Sequence, residues 1–267
     1  MPRATPSFGS RPKPPAAKVP ALLPAGKYGA LLQVAALKPI GGNVVSGQDR
    51  SGFARHCNDI PGANTGPSHI PGRAAWDNGK RFSGSTGVMT TGNVAALRIL
   101  GELTLLVVLS TPAIKPEGNE QYVFQSGRWV DGNAASAALY SLGIGGLSPA
   151  GATVFYYCEW WNGSSKSGNS WATPSLPQLV DGSHHFVCLR RNAAATQITI
   201  DVDGTSYASP ANLHPPSNGE NASLQLGAAN TSPVNLHCTG TTEDFNVIGR
   251  RLTDDEVAEA RAIMMGL

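Results

Sequence analysis

Acidic residues crowd together at three places in the chain: Asp201 and Asp203, Glu243 and Asp244, and the run Asp254, Asp255 and Glu256. Paired carboxylates do general acid and base work, and glycoside hydrolysis with retention needs two of them about 5 Å apart. Asp201 and Asp203 qualify at first sight, since residues two apart on a strand share a face. Gly204 follows, however, and Asp-Gly closing the alternating run Ile198 to Val202 is a strong hairpin signal, because the turn needs a positive φ and aspartate bonds its own backbone. Asp203 is therefore expected in a turn. Glu243 and Asp244 are adjacent, so an extended strand sends them to opposite faces. Glu159 stands alone between Cys158 and Trp160. No G-x-S-x-G, H-E-x-x-H, P-loop or nucleotide-binding glycine fingerprint occurs in a fitting context, and the protein is expected not to be an enzyme.

The third acidic run has a structural reading. Thr253 can accept from the amide of Glu256 while Glu256 reaches back to the amide of Thr253, a capping box. Asp254 and Asp255 add negative charge at the positive end of the dipole. Val257, Ala260 and Met264 then make one apolar stripe, and Gly266 can close the helix in the left-handed conformation.

Metal and disulfide chemistry rest on six histidines and four cysteines. His56-Cys57 and His237-Cys238 suggest a mixed zinc site, but neighbours on a strand diverge and no C-x-x-C spacing is present. Cys158 and Cys188 fall in expected strands, either as small buried hydrophobes or as one cross-strand disulfide.

The richest binding surface is aromatic. Phe155 to Trp161 is followed by a polar, glycine-rich stretch, Asn162 to Trp171, expected as a loop. Indole faces stack on sugar rings and amides bond hydroxyls, so Trp160, Trp161, Asn169 and Trp171 are the candidate ligand-binding residues. Adjacent residues on a strand face opposite sides, which makes one of Trp160 and Trp161 a core residue and the other an exposed anchor. Trp129 is a further, looser candidate.

Short strands must position these residues. In 267 residues, 41% are hydrophobic and 14% charged, enough to bury one large core, and 31 glycines with 20 prolines supply many turns. Leu103 to Leu109 and Val154 to Trp161 have the length and composition of buried strands. Convincing helical periodicity appears only at the end of the chain.

The order of motifs resembles the laminin-G-like, concanavalin-A-like jelly-roll family. His184-His185-Phe186 stands where that family has its "WHH" strand, Asp203-Gly204 its "YvDG" turn, Leu224 to Gly227 its "LxLG" strand, Gly240 to Val247 its "G.ieDfrV" strand and Leu252 to Val257 its "LtdeEi" helix. Upstream, Asp49-Arg50-Ser51-Gly52 is similar to "D.SG", Phe82 to Val88 to the "F.G..dyV" strand, and Trp129 to Gly132 to the "W..dG" loop. The match runs from about Tyr28 to Leu267. It implies an all-β sandwich of two antiparallel sheets with a short C-terminal helix. Ser183 replaces the usual tryptophan before the histidines, leaving a gap that another aromatic would have to fill. The laminarinase-like members carry an E-x-D-x-x-E strand, which is missing here. Relatives often hold a structural calcium, for which the resemblance suggests Asp49 and Asp244; a core or turn hydrogen bond explains both equally, and no cofactor is expected.

Residues 1–27 form the second region, an expected extended arm ahead of the sandwich of residues 28–267. Met1 to Pro24 combine Arg3, Arg11, Lys13 and Lys18 with seven prolines. Such a segment cannot pack a core. It lacks the apolar stretch of a secretory leader, and no run approaches the ~20 residues of a membrane span. With a net charge of only +2, nucleic acid is not the expected partner; an arm reaching across a neighbouring subunit fits better.

An adhesion-type sandwich made in the cytosol suits a virion component released at lysis. The expected function is thus a non-enzymatic bacteriophage structural protein, a capsid decoration, head-fibre or tail-associated subunit. It would be held by its arm to other virion proteins, present in many copies or as a homo-oligomer, and able to grip host-surface glycans. A stand-alone carbohydrate-binding lectin is the alternative, with a glycoside hydrolase behind it.

Overall fold

A computed structural model describes residues 23–40, 43–55, 57–59, 68–69, 80–83, 89–110, 121–126, 139–146, 154–161, 166–172, 183–216, 223–227 and 239–267. Antiparallel pairing links every described strand into one ladder that folds back on itself as two facing sheets. The strands are β1 (Ala30–Ile40), β2 (Asn43–Asp49), β3 (Cys57–Asp59), β4 (Ser68–His69), β5 (Lys80–Ser83), β6 (Met89–Asn93), β7 (Leu103–Ser110) and β8 (Gln121–Ser126). They continue as β9 (Tyr140–Gly146), β10 (Val154–Trp161), β11 (Lys166–Ala172), β12 (His185–Arg191), β13 (Ile198–Val202), β14 (Thr205–Ala208), β15 (Ser223–Leu226) and β16 (Thr239–Ile248). One sheet runs β14-β13-β12-β7-β16 and on to β1 and β5; the other runs β6-β15-β8-β9-β10-β11; β3, β2 and β4 join them. The expected all-β jelly-roll sandwich is what the chain forms.

β7 explains why the sequence there is a continuous apolar run. Leu103, Leu105, Val107 and Leu109 enter the core between the sheets, while Leu106 and Val108 point the other way into a second cluster under the C-terminal helix, α2 (Asp254–Met265). Every residue of β7 is buried, because one face is covered by a sheet and the other by a helix. Cross-strand register obeys the same division: Leu105 faces Leu189 and Val107 faces Val187, whereas Leu106 faces Cys188 and Val108 faces Phe186. Between the sheets, the Phe124 and Phe245 rings lie 4.9 Å apart and tilted by 48°.

Two arginines side by side on β12 follow the alternation too. Arg191 turns inward, 2% exposed, and gives its guanidinium to the carbonyls of Ile99, Gly101 and Leu139 at 2.6–2.9 Å, stitching one sheet to the loops of the other. Arg190 turns outward beneath α2.

The capping box is formed as derived. Thr253 Oγ1 accepts from the Glu256 amide at 3.3 Å, Glu256 Oε2 accepts from the Thr253 amide at 2.9 Å, and Gly266 closes the helix at φ 67°. Val257, Ala260 and Met264 are the buried stripe. The Arg250 guanidinium also grips Glu256 in a fork at 2.7 and 2.9 Å.

A single helical turn, α1 (Ala25–Tyr28), precedes the first strand and was not foreseen, since one turn carries no periodicity. Leu23 and Tyr28 pack into the α2 cluster and Lys27 pairs with Glu259, so residues assigned by sequence to the arm lie on the sandwich from Leu23 onward. Residues 1–22 lie outside the described residues.

Thr253→Ala is expected to cost about 1 kcal/mol of stability, read by denaturant unfolding. The acid side of the stability curve follows from Glu256, whose carboxyl is held down from 4.5 to about 2, first by the hydrogen bonds from Arg250 and then by the Thr253 amide. A depressed acid stabilises the fold above its unfolded value, and this contribution is lost as pH falls through its folded value. The melting temperature should therefore drop between pH 4.5 and about 2, and Glu256→Gln should lower it at neutral pH while flattening that slope.

Candidate functional site

Asp49, Asp201, Asp203 and Asp244, four acids that could have been catalytic, each have structural partners. Val202 pairs with Thr205 across Asp203 (φ 52°) and Gly204 (φ 93°), the two positive φ angles of a type I′ hairpin. Asp203 Oδ1 accepts from the Phe186 amide at 2.9 Å and Oδ2 lies 2.6 Å from His185 Nδ1. Asp201 accepts from the Gly204 amide at 3.0 Å and from Ser206 Oγ at 2.7 Å. Both carboxylates hold the hairpin.

Asp244 departs from simple alternation. The β16–β7 register slips between Glu243 and Asn246, and Asp244 sits at φ 41° in the bulge. Its carboxylate is turned inward, accepting from Gln33 Nε2 and Asn246 Nδ2 at 3.1 Å and from the Leu23 amide at 3.3 Å. Gln33 Nε2 also donates to the Leu23 carbonyl at 2.9 Å, so the segment before α1 is clasped on both backbone groups.

Asp49 organises the turn after β2. It accepts from the amides of Gln33, Ser51 and Arg55 at 2.9 Å and from Ser51 Oγ at 2.7 Å. Burial pushes its pKa up, but these donors outweigh it and hold the carboxyl below its ordinary value. Asp49 and Asp244 do not fit a calcium ion, which needs free oxygen lone pairs, because N–H and O–H groups point at their oxygens. Among the described residues, no group of three His, Cys, Asp or Glu side chains is placed to hold a metal. His56, His237 and Cys238 lie outside the described residues.

Cys188 is a free thiol, fully buried beneath α2, and not half of a disulfide with Cys158. Burial raises its pKa, so it stays protonated. Ser183 is exposed, so the missing tryptophan leaves no gap to fill.

The aromatic segment forms a hairpin ribbon at the edge of the second sheet. Lys166 to Trp171, expected as loop, belong to strand β11, which pairs along its whole length with β10. Glycine and serine disfavour strands on their own, but the ladder of β10 supplies the partner that overrides them. Trp160 lies opposite Ser167, Cys158 opposite Asn169 and Tyr156 opposite Trp171. The register thus places Trp160, Asn169 and Trp171 at positions of one face of the ribbon, and Trp161, opposite Lys166, on the other. Trp129 lies outside the described residues.

A groove that sequence reading missed opens between α2 and the outer face of β12–β14, with a volume of about 250 Å³. Its strand wall is Arg190, Asp201, Gly204 and Ser206; its helix wall is Asp254, Val257, Ala258 and Arg261, one face of α2. Arg190 is 4% exposed and its Nη1 donates to the Leu252 carbonyl at 3.1 Å and to Asp254 Oδ1 at 2.6 Å. The only sequence signal was a charged residue inside an apolar strand.

Comparison with known proteins places this geometry. Residues 113–258 match a laminin-G-type family model described as the concanavalin A-like lectin/glucanases superfamily. No curated protein matches the chain. Among solved structures, the botulinum neurotoxin serotype G binding domain is similar with a TM-score of 0.56 at 13% identity, over 86% of this chain and 50% of that one. The binding domain of Paraclostridial Mosquitocidal Protein 1 has a TM-score of 0.55 at 11% identity, over 85% and 51%. Tailspike protein 2 of the Escherichia coli O157:H7 bacteriophage CAB120 has a TM-score of 0.55 at 14% identity, over 75% of this chain and 26% of the tailspike. The chain thus spans about half the length of the toxin domains, and the likeness is one of fold. By its match over residues 113–258 and its lectin-like sandwich, the chain belongs to the concanavalin A-like lectin/glucanase superfamily.

Proposed function

We propose that this domain is a non-catalytic binding module of a bacteriophage particle, attached through the segment ahead of Leu23 and gripping surface glycans with the β10–β11 ribbon. The observation that carries the non-catalytic part is the use of the carboxylates. In a superfamily that includes glucanases, Asp49, Asp201, Asp203 and Asp244 each hold backbone amides or hydroxyls in place. A retaining glycosidase needs a pair of acids about 5 Å apart that face substrate, and these four face the scaffold.

Support for a binding role comes from the kinds of protein that share the fold. Receptor-binding and binding domains of toxins and a phage tailspike use it at similar TM-scores. The ribbon offers the chemistry for sugars: Trp160 and Trp171 share a face with Asn169, so stacking rings and a bifunctional amide occupy neighbouring register positions. No described helix is long and apolar enough to cross a membrane.

On a glycan array, the protein is expected to bind a defined subset of surface polysaccharides, and Trp171→Ala to weaken that binding at least about tenfold, the scale of one lost aromatic anchor. Equal binding by the variant would remove the ribbon from the reading. In parallel, the full chain should co-purify with assembled particles from a lysate, and a variant lacking residues 1–22 should remain in the soluble fraction.

A further inference from the structure

The groove between α2 and β12–β14 has an unequal balance of donors and acceptors. Arg190 is neutralised by Asp254, and Asp201 is occupied by the Gly204 amide and the Ser206 hydroxyl. Arg261 has no such partner: among the described residues nothing accepts a hydrogen bond from it, and its Nε is buried. The Nε of Arg190, on a side chain more than nine-tenths buried, is likewise without an acceptor among those residues. Both arginines line one concave space, and of the two only Arg261 brings a guanidinium with no acceptor among the described residues.

The placement of Arg261 is built into the fold. Its guanidinium lies on the bare Cα of Gly204, where a Cβ would come within 1.5 Å of Nη1. The same glycine supplies φ 93° to the hairpin, so one residue satisfies both the turn and the close approach of the arginine. Held there, the planar fork matches the geometry of a carboxylate.

The rest of the lining narrows the ligand. Asp254, with its side chain 89% exposed, and Ser206 can bond hydroxyls, while Val257 and Ala258 give a small apolar strip for the C–H face of a ring. About 250 Å³ accommodates one monosaccharide and not a chain. With Asp201 and Asp254 in the lining, the groove carries two negative charges against two positive ones, which favours a monoanion over sulfate or phosphate dianions.

We propose that this groove is a binding site for an acidic monosaccharide of the hexuronic acid type, whose carboxylate is taken by Arg261 and whose hydroxyls are taken by Ser206 and Asp254. The proposal rests on the glycan-binding reading of the domain but assigns the acidic sugar to the α2 face and not to the tryptophan ribbon.

Titration of the full chain with D-glucuronate, D-glucose and inorganic sulfate, followed by amide NMR shifts, tests it. Glucuronate is expected to bind and to shift the amides of Gly204, Ser206 and Arg261, with glucose and sulfate much weaker. Arg261→Gln should weaken glucuronate about ten- to a hundredfold, the scale of a lost charge-assisted hydrogen bond. Arg261→Lys, which keeps the charge and much of the stem packing, should lose less. Absence of glucuronate binding, equal binding by a folded Arg261→Gln protein, or sulfate binding as tight as glucuronate would each overturn the site. Trp171→Ala separates the two readings. If it abolishes array binding while glucuronate fails to bind, the ribbon stands and the groove falls; if glucuronate binding needs Arg261 and the array ignores Trp171, the reverse holds.

Discussion

The architecture turns on a strand that must be covered twice. β7 carries apolar side chains on both faces, and an uncovered face would leave Leu106 and Val108 in water. Burying each such side chain is worth about 1.5–3 kcal/mol, so the second cover is an energetic requirement of the sequence. It is met by α2, with Leu23 and Tyr28 alongside. The N-terminal segment, the C-terminal helix and the middle of the sandwich are therefore parts of one core, although they come from opposite ends of the chain.

Polar groups in this molecule are spent on holding irregular backbone. Arg191 satisfies three loop carbonyls, Asn192 takes the amides of Thr196 and Gln197 at 2.9 and 3.0 Å, and Asp49 gathers the turn after β2. Each bond is worth about 1 kcal/mol net, but leaving the same backbone group buried and unpaired would cost more. Such residues look chemically suggestive in a sequence, because acids and arginines at turns resemble sites. Their partners in space identify them as scaffold.

Much of the fold was legible. β7, β10, β13 and α2 carry their periodicity or their caps within a dozen residues, and Asp203-Gly204 declares its own turn. The Asp244 bulge was not legible, because its cause is Gln33 on another strand and the Leu23 backbone, and alternation gives no warning of a slip in register. β11 does not show in the sequence, since Gly168, Asn169 and Ser170 lack strand propensity and gain their conformation from β10. The α2 groove was hidden for a similar reason. Arg190, Gly204 and Arg261 become neighbours only once the helix has folded over the hairpin.

Cys188 gives this arrangement a practical consequence. Its thiol, on β12 beneath α2, lies at 0% exposure, protonated and shielded from reagents. Alkylation at this position can proceed only when the helix lifts from the sheet, so its rate reports the opening of that one seam. The molecule carries an internal clock for the detachment of its own C-terminal cover, readable by mass spectrometry without any engineered label.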